Sequence, residues 1–169
     1  ANYSTRRFVD SMVGRLHEVV DWFHVADLPN LSWSLAKLDP RGIDPMFQIF
    51  ASKVYDITSL DDCAAVALAF GRAGLLHRSS FYRRLSDATT QLLNHMDYPT
   101  VLSRALKLGN ETAIVCYAFA HSGIMDKTLF SNACKRAIEQ KIKFDWSAGI
   151  RMLWALAKVR CSHLPFLKF

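Results

Sequence analysis

The sequence predicts an all-α chain, an α-solenoid of stacked helical hairpins in about four degenerate repeats. Three observations predict it. Apolar residues recur at helical spacing almost throughout: Phe81, Leu85, Ala88 and Leu92 advance by four, three and four, and Leu129, Ala133 and Ala137 by four. No stretch alternates apolar and polar residues for long enough to make a strand. A short segment also recurs at 33–38, 66–70, 117–121 and 154–159, each time a large apolar residue, a small one, Leu or Phe, then Ala (with Trp33, Val66, Tyr117 and Trp154 leading).

The elements follow in order. Helices are expected at about 6–24, 29–38, 44–56, 60–73, 79–96, 99–108, 112–122, 126–141 and 146–159. Asp44-Pro45 reads as an N-cap followed by Pro at the first helical position, where the missing N–H costs nothing. Ser59 offers a capping oxygen with Asp62 three residues later, and Asp126 can cap the next-to-last helix. Gly42, Gly74 and Gly123 stand near the ends of periodic segments as stop signals. The connections are short, so sequential helices should pack as antiparallel neighbours.

Taking Trp33, Val66, Tyr117 and Trp154 as anchors, the intervals are 33, 51 and 37 residues. The long one exceeds the last by 14, the length of residues 97–110, so these are expected to form an inserted short helix displaced from the stack. Repeats then span approximately 26–58, 59–96, 111–143 and 144–169 in a single domain. Small residues in the first helix of each hairpin let its partner approach closely, and one hairpin cannot bury both of its faces, so neighbours must stack. Trp33 and Trp154, in near-identical contexts, are expected to be buried at equivalent positions. Trp146, near a helix start, suits either core packing or base stacking.

With 169 residues, 51% of them apolar and 12% aromatic, the chain has material for a core. Seven Gly and five Pro argue against collagen-like, low-complexity and turn-dense all-β classes. No apolar run approaches the roughly 20 residues of a membrane-spanning helix, so no membrane partner is expected. The polar N-terminus precedes no signal-type apolar segment, and the chain does not begin with Met, as a processed chain or a fragment would not. Cys63, Cys116, Cys134 and Cys161 match no Cys-x-x-Cys spacing and read as small buried apolar residues of a reducing compartment.

The formal charge of +6 is concentrated near the C-terminus. Residues 135–169 carry Lys135, Arg136, Lys141, Lys143, Arg151, Lys158, Arg160 and Lys168 against Glu139 and Asp145, while bases and acids balance in the rest. All but Lys168 of these bases are candidate polyanion contacts, and Arg78, Arg83 and Arg84, near Arg72 and His77, form a second patch. Such clusters suit phosphate neutralisation, though an ordinary solvated helical face carries similar charge.

Catalytic signatures are not found: GxxxxGK[ST], GxGxxG, GxSxG and HExxH do not occur. Asp61 and Asp62, being adjacent, point apart on a helix and suit a cap rather than an acid–base pair. Cys116 and His121, five apart, would lie roughly 140° apart around a helix, which is poor for a nucleophile–base pair. Asp21 and His24 share a face, where His24 suits a hydrogen bond better than a metal. No cofactor is expected, and no enzyme activity.

The Trp-Ser/Ala-Leu-Ala-Lys-Leu/Val segments at 33–38 and 154–159 resemble the LxWALAKL helix of octotricopeptide and heptatricopeptide repeats. Residues 67–71 and 117–123 look like degenerate copies, with Val66 in place of the expected Trp. The resemblance covers about residues 26–159. It implies the organellar RNA-binding type shared with RAP-domain and FAST-kinase-domain proteins, although no C-terminal RAP-type module follows. Localisation in a mitochondrial or other organellar matrix is implied with it. The implied partners are RNA, either rRNA or an organellar transcript, and other subunits of a large ribonucleoprotein such as the mitochondrial ribosome. A protein–protein scaffold of the same architecture, with no RNA contact, is the alternative; salt-dependent RNA binding would separate the two.

Overall fold

The computed structural model describes residues 3–19, 22, 27–38, 53–72, 79–97 and 99–168. These residues are helical with short connections, and no strand occurs among them. The helices are α1 (Tyr3–Val19), α2 (Leu28–Leu38), α3 (Leu60–Arg72), α4 (Ser79–His95), α5 (Leu102–His121), α6 (Lys127–Glu139), α7 (Trp146–Lys158) and the short α8 (Leu164–Leu167), with a 3-10 turn at Val54–Asp56 before α3. The all-α expectation holds. The helix expected at 44–56 falls outside the described residues apart from its last turn.

Ser59 and Asp126 cap as the sequence predicts, and Asp145 is a further cap. The Asp62 amide donates to Ser59 Oγ at 3.1 Å. Asp126 Oδ1 accepts from the amides of Thr128 (2.9 Å) and Leu129 (3.3 Å), and Asp145 Oδ1 from Ala148 (2.7 Å). Three helices end alike. After α5, α6 and α7 the amides of Ile124, Ile142 and Cys161 reach back to the carbonyls of Phe119, Ala137 and Leu156, each at 2.9 Å. The residue before each, Gly123, Lys141 or Arg160, has positive φ, which completes a Schellman turn.

Packing follows two rows. In one, α2 lies against α3, α3 against α5, and α5 against α7; in the other, α4 lies against α6 and α6 against α8. Contacts of α3 with α4 and of α5 with α6 join the rows. Phe70, Phe119 and Leu156 hold corresponding places in α3, α5 and α7 and are buried, facing a core completed by Leu85, Leu93, Leu129 and Phe130.

Helices of the first row approach closely because small residues line the contact. A Cβ added at Gly71 would sit 2.5 Å from the Cβ of Ser122, and Ser122 Oγ donates to the Ala67 carbonyl at 2.7 Å. In the second row, α6 is tied to the end of α4 by side chains: Arg136 donates to the Asn94 carbonyl, and Gln140 Nε2 to that of Met96 at 2.7 Å.

Residues 97–110 do not form a separate inserted helix. Residues 102–110 are the first half of the 20-residue α5, so the helices expected at 99–108 and 112–122 are one. Gly109, between the two expected helices, is a contact residue. A Cβ there would lie 2.0 Å from the Lys143 carbonyl oxygen, and the Lys143 amide bonds to Ala105 O at 3.3 Å. The glycine lets the α6–α7 connection cross the helix.

Two glycines should therefore respond oppositely to alanine. Gly109→Ala must displace backbone and should cost about 1–3 kcal/mol. Gly149→Ala in α7 meets open space and should raise stability by up to about 1 kcal/mol. Urea unfolding followed by helical circular dichroism measures both. Phe119→Ala should lose about 3–5 kcal/mol in the same assay, since the ring is fully buried.

Candidate nucleic-acid interface

The last turns of the first-row helices share a pattern visible once they are superposed on the buried Ala69-Phe70, Ala118-Phe119 and Ala155-Leu156 pairs. Each helix ends with a bulky residue followed four positions later by a base: Trp33 and Lys37, Leu68 and Arg72, Tyr117 and His121, Trp154 and Lys158. A spacing of four puts both members on one face. The equivalent of Trp33 in α3 is therefore Leu68, half-buried, rather than Val66, which is in the core.

These side chains meet across helices. The Arg72 guanidinium carbon stands 4.8 Å from the centroid of the Trp33 ring, and Lys37 Nζ stands 5.3 Å from it. Tyr117 and Trp154 lie with centroids 5.0 Å apart at 43°, and His121 is 6.4 Å from Trp154. The bases also occupy helix C-termini, where the macrodipole favours positive charge. The result is a strip of exposed and half-exposed rings bordered by cations.

Burial of the two indoles is corrected by this geometry. Trp33 is half-buried and Trp154 is 41% exposed. Each ring is only partly covered by its neighbours, Trp33 by Arg72 and Lys37 and Trp154 by Tyr117. Trp146 is 86% exposed at the start of α7 and is not core.

The predicted basic residues are not one patch. Arg151, half-buried, and Lys158, exposed, lie three residues before and four after Trp154, on its side of α7. Lys141 and Lys143 stand before α7, and Arg160 just after it, about 20 Å away along a 13-residue helix. Lys135 and Arg136 belong to the second row and pair with Glu139 at 3.7 and 3.5 Å. Arg136 is further engaged by the Asn94 carbonyl, so its role is structural. Arg83 and Arg84 are exposed on α4, also in the second row. Arg78 lies outside the described residues, as do His77, Asp21 and His24.

Sequence reasoning missed Trp33, Lys37, Tyr117 and His121 as members of one strip. The bulky-residue-then-base spacing of four was the available signal.

Burial favours the protonated form of the thiols. Burial pushes Cys63 up to about 11 and Cys134 up to about 12, and raises Cys116 and Cys161 as well; Cys134 and Cys161 add to the rise at Cys116, and Cys161 to that at Cys134. All four are free. Cys116 is fully buried whereas His121 is exposed. Among the described residues no three His, Cys, Asp or Glu groups come together as metal ligands would. None of their helices is long and apolar enough to cross a membrane.

No family model, curated protein or solved structure matches this chain.

A raised thiol pKa in the folded state means that the unfolded chain ionises first. Stability should be constant up to the ordinary thiol range and fall as pH rises beyond it. Denaturant titrations between pH 7 and about 10 test this. At pH 8 Cys116 and Cys134 should react with a thiol reagent only at the rate of unfolding.

Proposed function

We propose that this chain is a non-catalytic organellar RNA-binding protein, an α-solenoid of about four hairpins seated in a ribonucleoprotein such as the mitochondrial ribosome. The observation that carries the RNA reading is the strip of rings and terminal cations on consecutive helices, Trp33 with Arg72 and Tyr117 with Trp154 and Lys158. Flat π surfaces accept unstacked bases of any sequence, and the flanking cations accept the backbone. The two-row packing is the local order a stack of hairpins requires. The organellar setting rests on the octotricopeptide-like segments at 33–38 and 154–159.

A labelled single-stranded RNA of about 12 nucleotides suits the footprint of such a strip. Its anisotropy should report binding that weakens with salt. Trp154→Ala should cost about 1–3 kcal/mol of affinity. Lys158→Glu should lower the slope of log K against log salt by about 0.7. Lys135→Glu, in the other row, should leave both unchanged. Binding that is absent or indifferent to salt, in a protein of unchanged helicity, would favour the scaffold reading.

A further inference from the structure

The two ends of the strip differ in what lies on the indole. At α2–α3 it is charge. Arg72, in the last turn of α3, sets its guanidinium carbon 4.8 Å from the centroid of the Trp33 ring, and Lys37, in the last turn of α2, sets Nζ 5.3 Å from it. At α5–α7 it is other rings. Tyr117 lies 5.0 Å from Trp154 and 5.6 Å from His121, centroid to centroid, and among the described residues no cation stands over Trp154. Leu68, at the corresponding place in α3, has no ring at all.

A base stacked on Trp33 would compete for the ring with the cations already set over it, whereas Trp154, 41% exposed, carries none. Two like charges from separate helices are thus gathered at one indole. Its quadrupole attracts each of them and neutralises neither. Both side chains are exposed, and among the described residues neither has a carboxylate partner, whereas Arg104, Lys107, Lys135 and Arg136 each have one. Gathering like charges costs Coulomb energy, which an anion between them offsets. A guanidinium offers phosphate a planar fork of donors, and an ammonium adds a point charge, so this pair suits a phosphate oxyanion.

We propose that Lys37 and Arg72 form a phosphate site, that Trp33 is the positioning residue that holds them there, and that base stacking belongs to the α5–α7 end of the strip. The phosphate is that of an RNA strand, as an internal diester or as a terminal 5′-monoester. Its belonging to a strand rests on the RNA reading, while the site itself can be probed with inorganic phosphate.

The probes are single strands of about 12 nucleotides, with bases or abasic throughout, each ending in a 5′-phosphate or a 5′-hydroxyl. Arg72→Gln and Lys37→Gln should each lower the slope of log K against log salt by about 0.7, on base-bearing and abasic strands alike. Trp33→Leu removes no charge and places at 33 the residue type that α3 carries at 68. It should nevertheless lower the slope, and Trp33→Phe should restore it; a merely structural ring would leave the slope unmoved. Trp154→Ala should weaken the base-bearing strands alone. Equal losses on 5′-phosphate and 5′-hydroxyl strands assign the site to an internal diester, and losses confined to the 5′-phosphate strands assign it to the terminal monoester. The proposal is overturned if Arg72→Gln leaves affinity and slope unchanged on every strand. It is also overturned if Trp33→Leu weakens only base-bearing strands at constant slope, because Trp33 is then a base platform. If no strand binds the unaltered chain, the RNA reading falls, and the site is decided by phenylglyoxal modification of Arg72 mapped by mass spectrometry. Inorganic phosphate should slow that modification relative to chloride at equal ionic strength, and less so in Lys37→Gln; an unchanged rate overturns the site.

Discussion

The architecture depends on how near α3, α5 and α7 can come to one another. Side-chain volume sets that distance, and at the contact points it has been reduced almost to nothing: glycine at 71 and 109, alanine at 67 and 113, serine at 122. With the backbones this close, the Ser122 hydroxyl reaches the Ala67 carbonyl, and the α6–α7 connection hydrogen-bonds to Ala105. A buried hydroxyl with a good partner adds specificity as well as stability, because a shifted register would leave it unpaired. The larger rings, Phe70 and Phe119, are thereby turned toward the second row, where they meet its leucines and Phe130.

A consequence is that the second row is held partly by side chains rather than by close backbones. Arg136 and Gln140 reach the carbonyls of Asn94 and Met96, groups left without helical partners near the end of α4. Cations at helix ends thus serve two ends in this chain. Arg136 is consumed by a neighbouring carbonyl and by Glu139. Lys37, Arg72 and Lys158 close the first-row helices and stay at the surface, beside rings.

Fold class and helix starts were legible because their causes are local. Ser59 and Asp126 each cap amides within three residues, and apolar stripes repeat within a turn or two. What escaped the sequence has causes far along the chain. The division of α5 into helices at 99–108 and 112–122 fails at Gly109, whose contact is with Lys143, 34 residues on. Arg136 reads as a free base until the carbonyl of Asn94 is found beside it. Trp154 reads as core because indoles usually are; its exposure follows from which side of α7 faces α5, a matter of row geometry rather than residue type. Of the candidate site, Arg151 and Lys158 were legible from charge and spacing, whereas the side chains of α2, α3 and α5 that join them required the register between helices.

The left-handed turns that end α5, α6 and α7 have an evolutionary meaning. The same backbone slot holds glycine at 123, lysine at 141 and arginine at 160. Glycine is relaxed there, while a residue with a side chain is strained by about 1 kcal/mol. Each slot is outside the helix and outside the core, so its occupant can drift without repacking anything. A lineage could therefore add or remove a positive charge at a helix end by exchanging glycine for a base, with a stability change small enough to survive. Surface charge in this architecture is adjustable one helix end at a time, while the packing beneath it stays as it is.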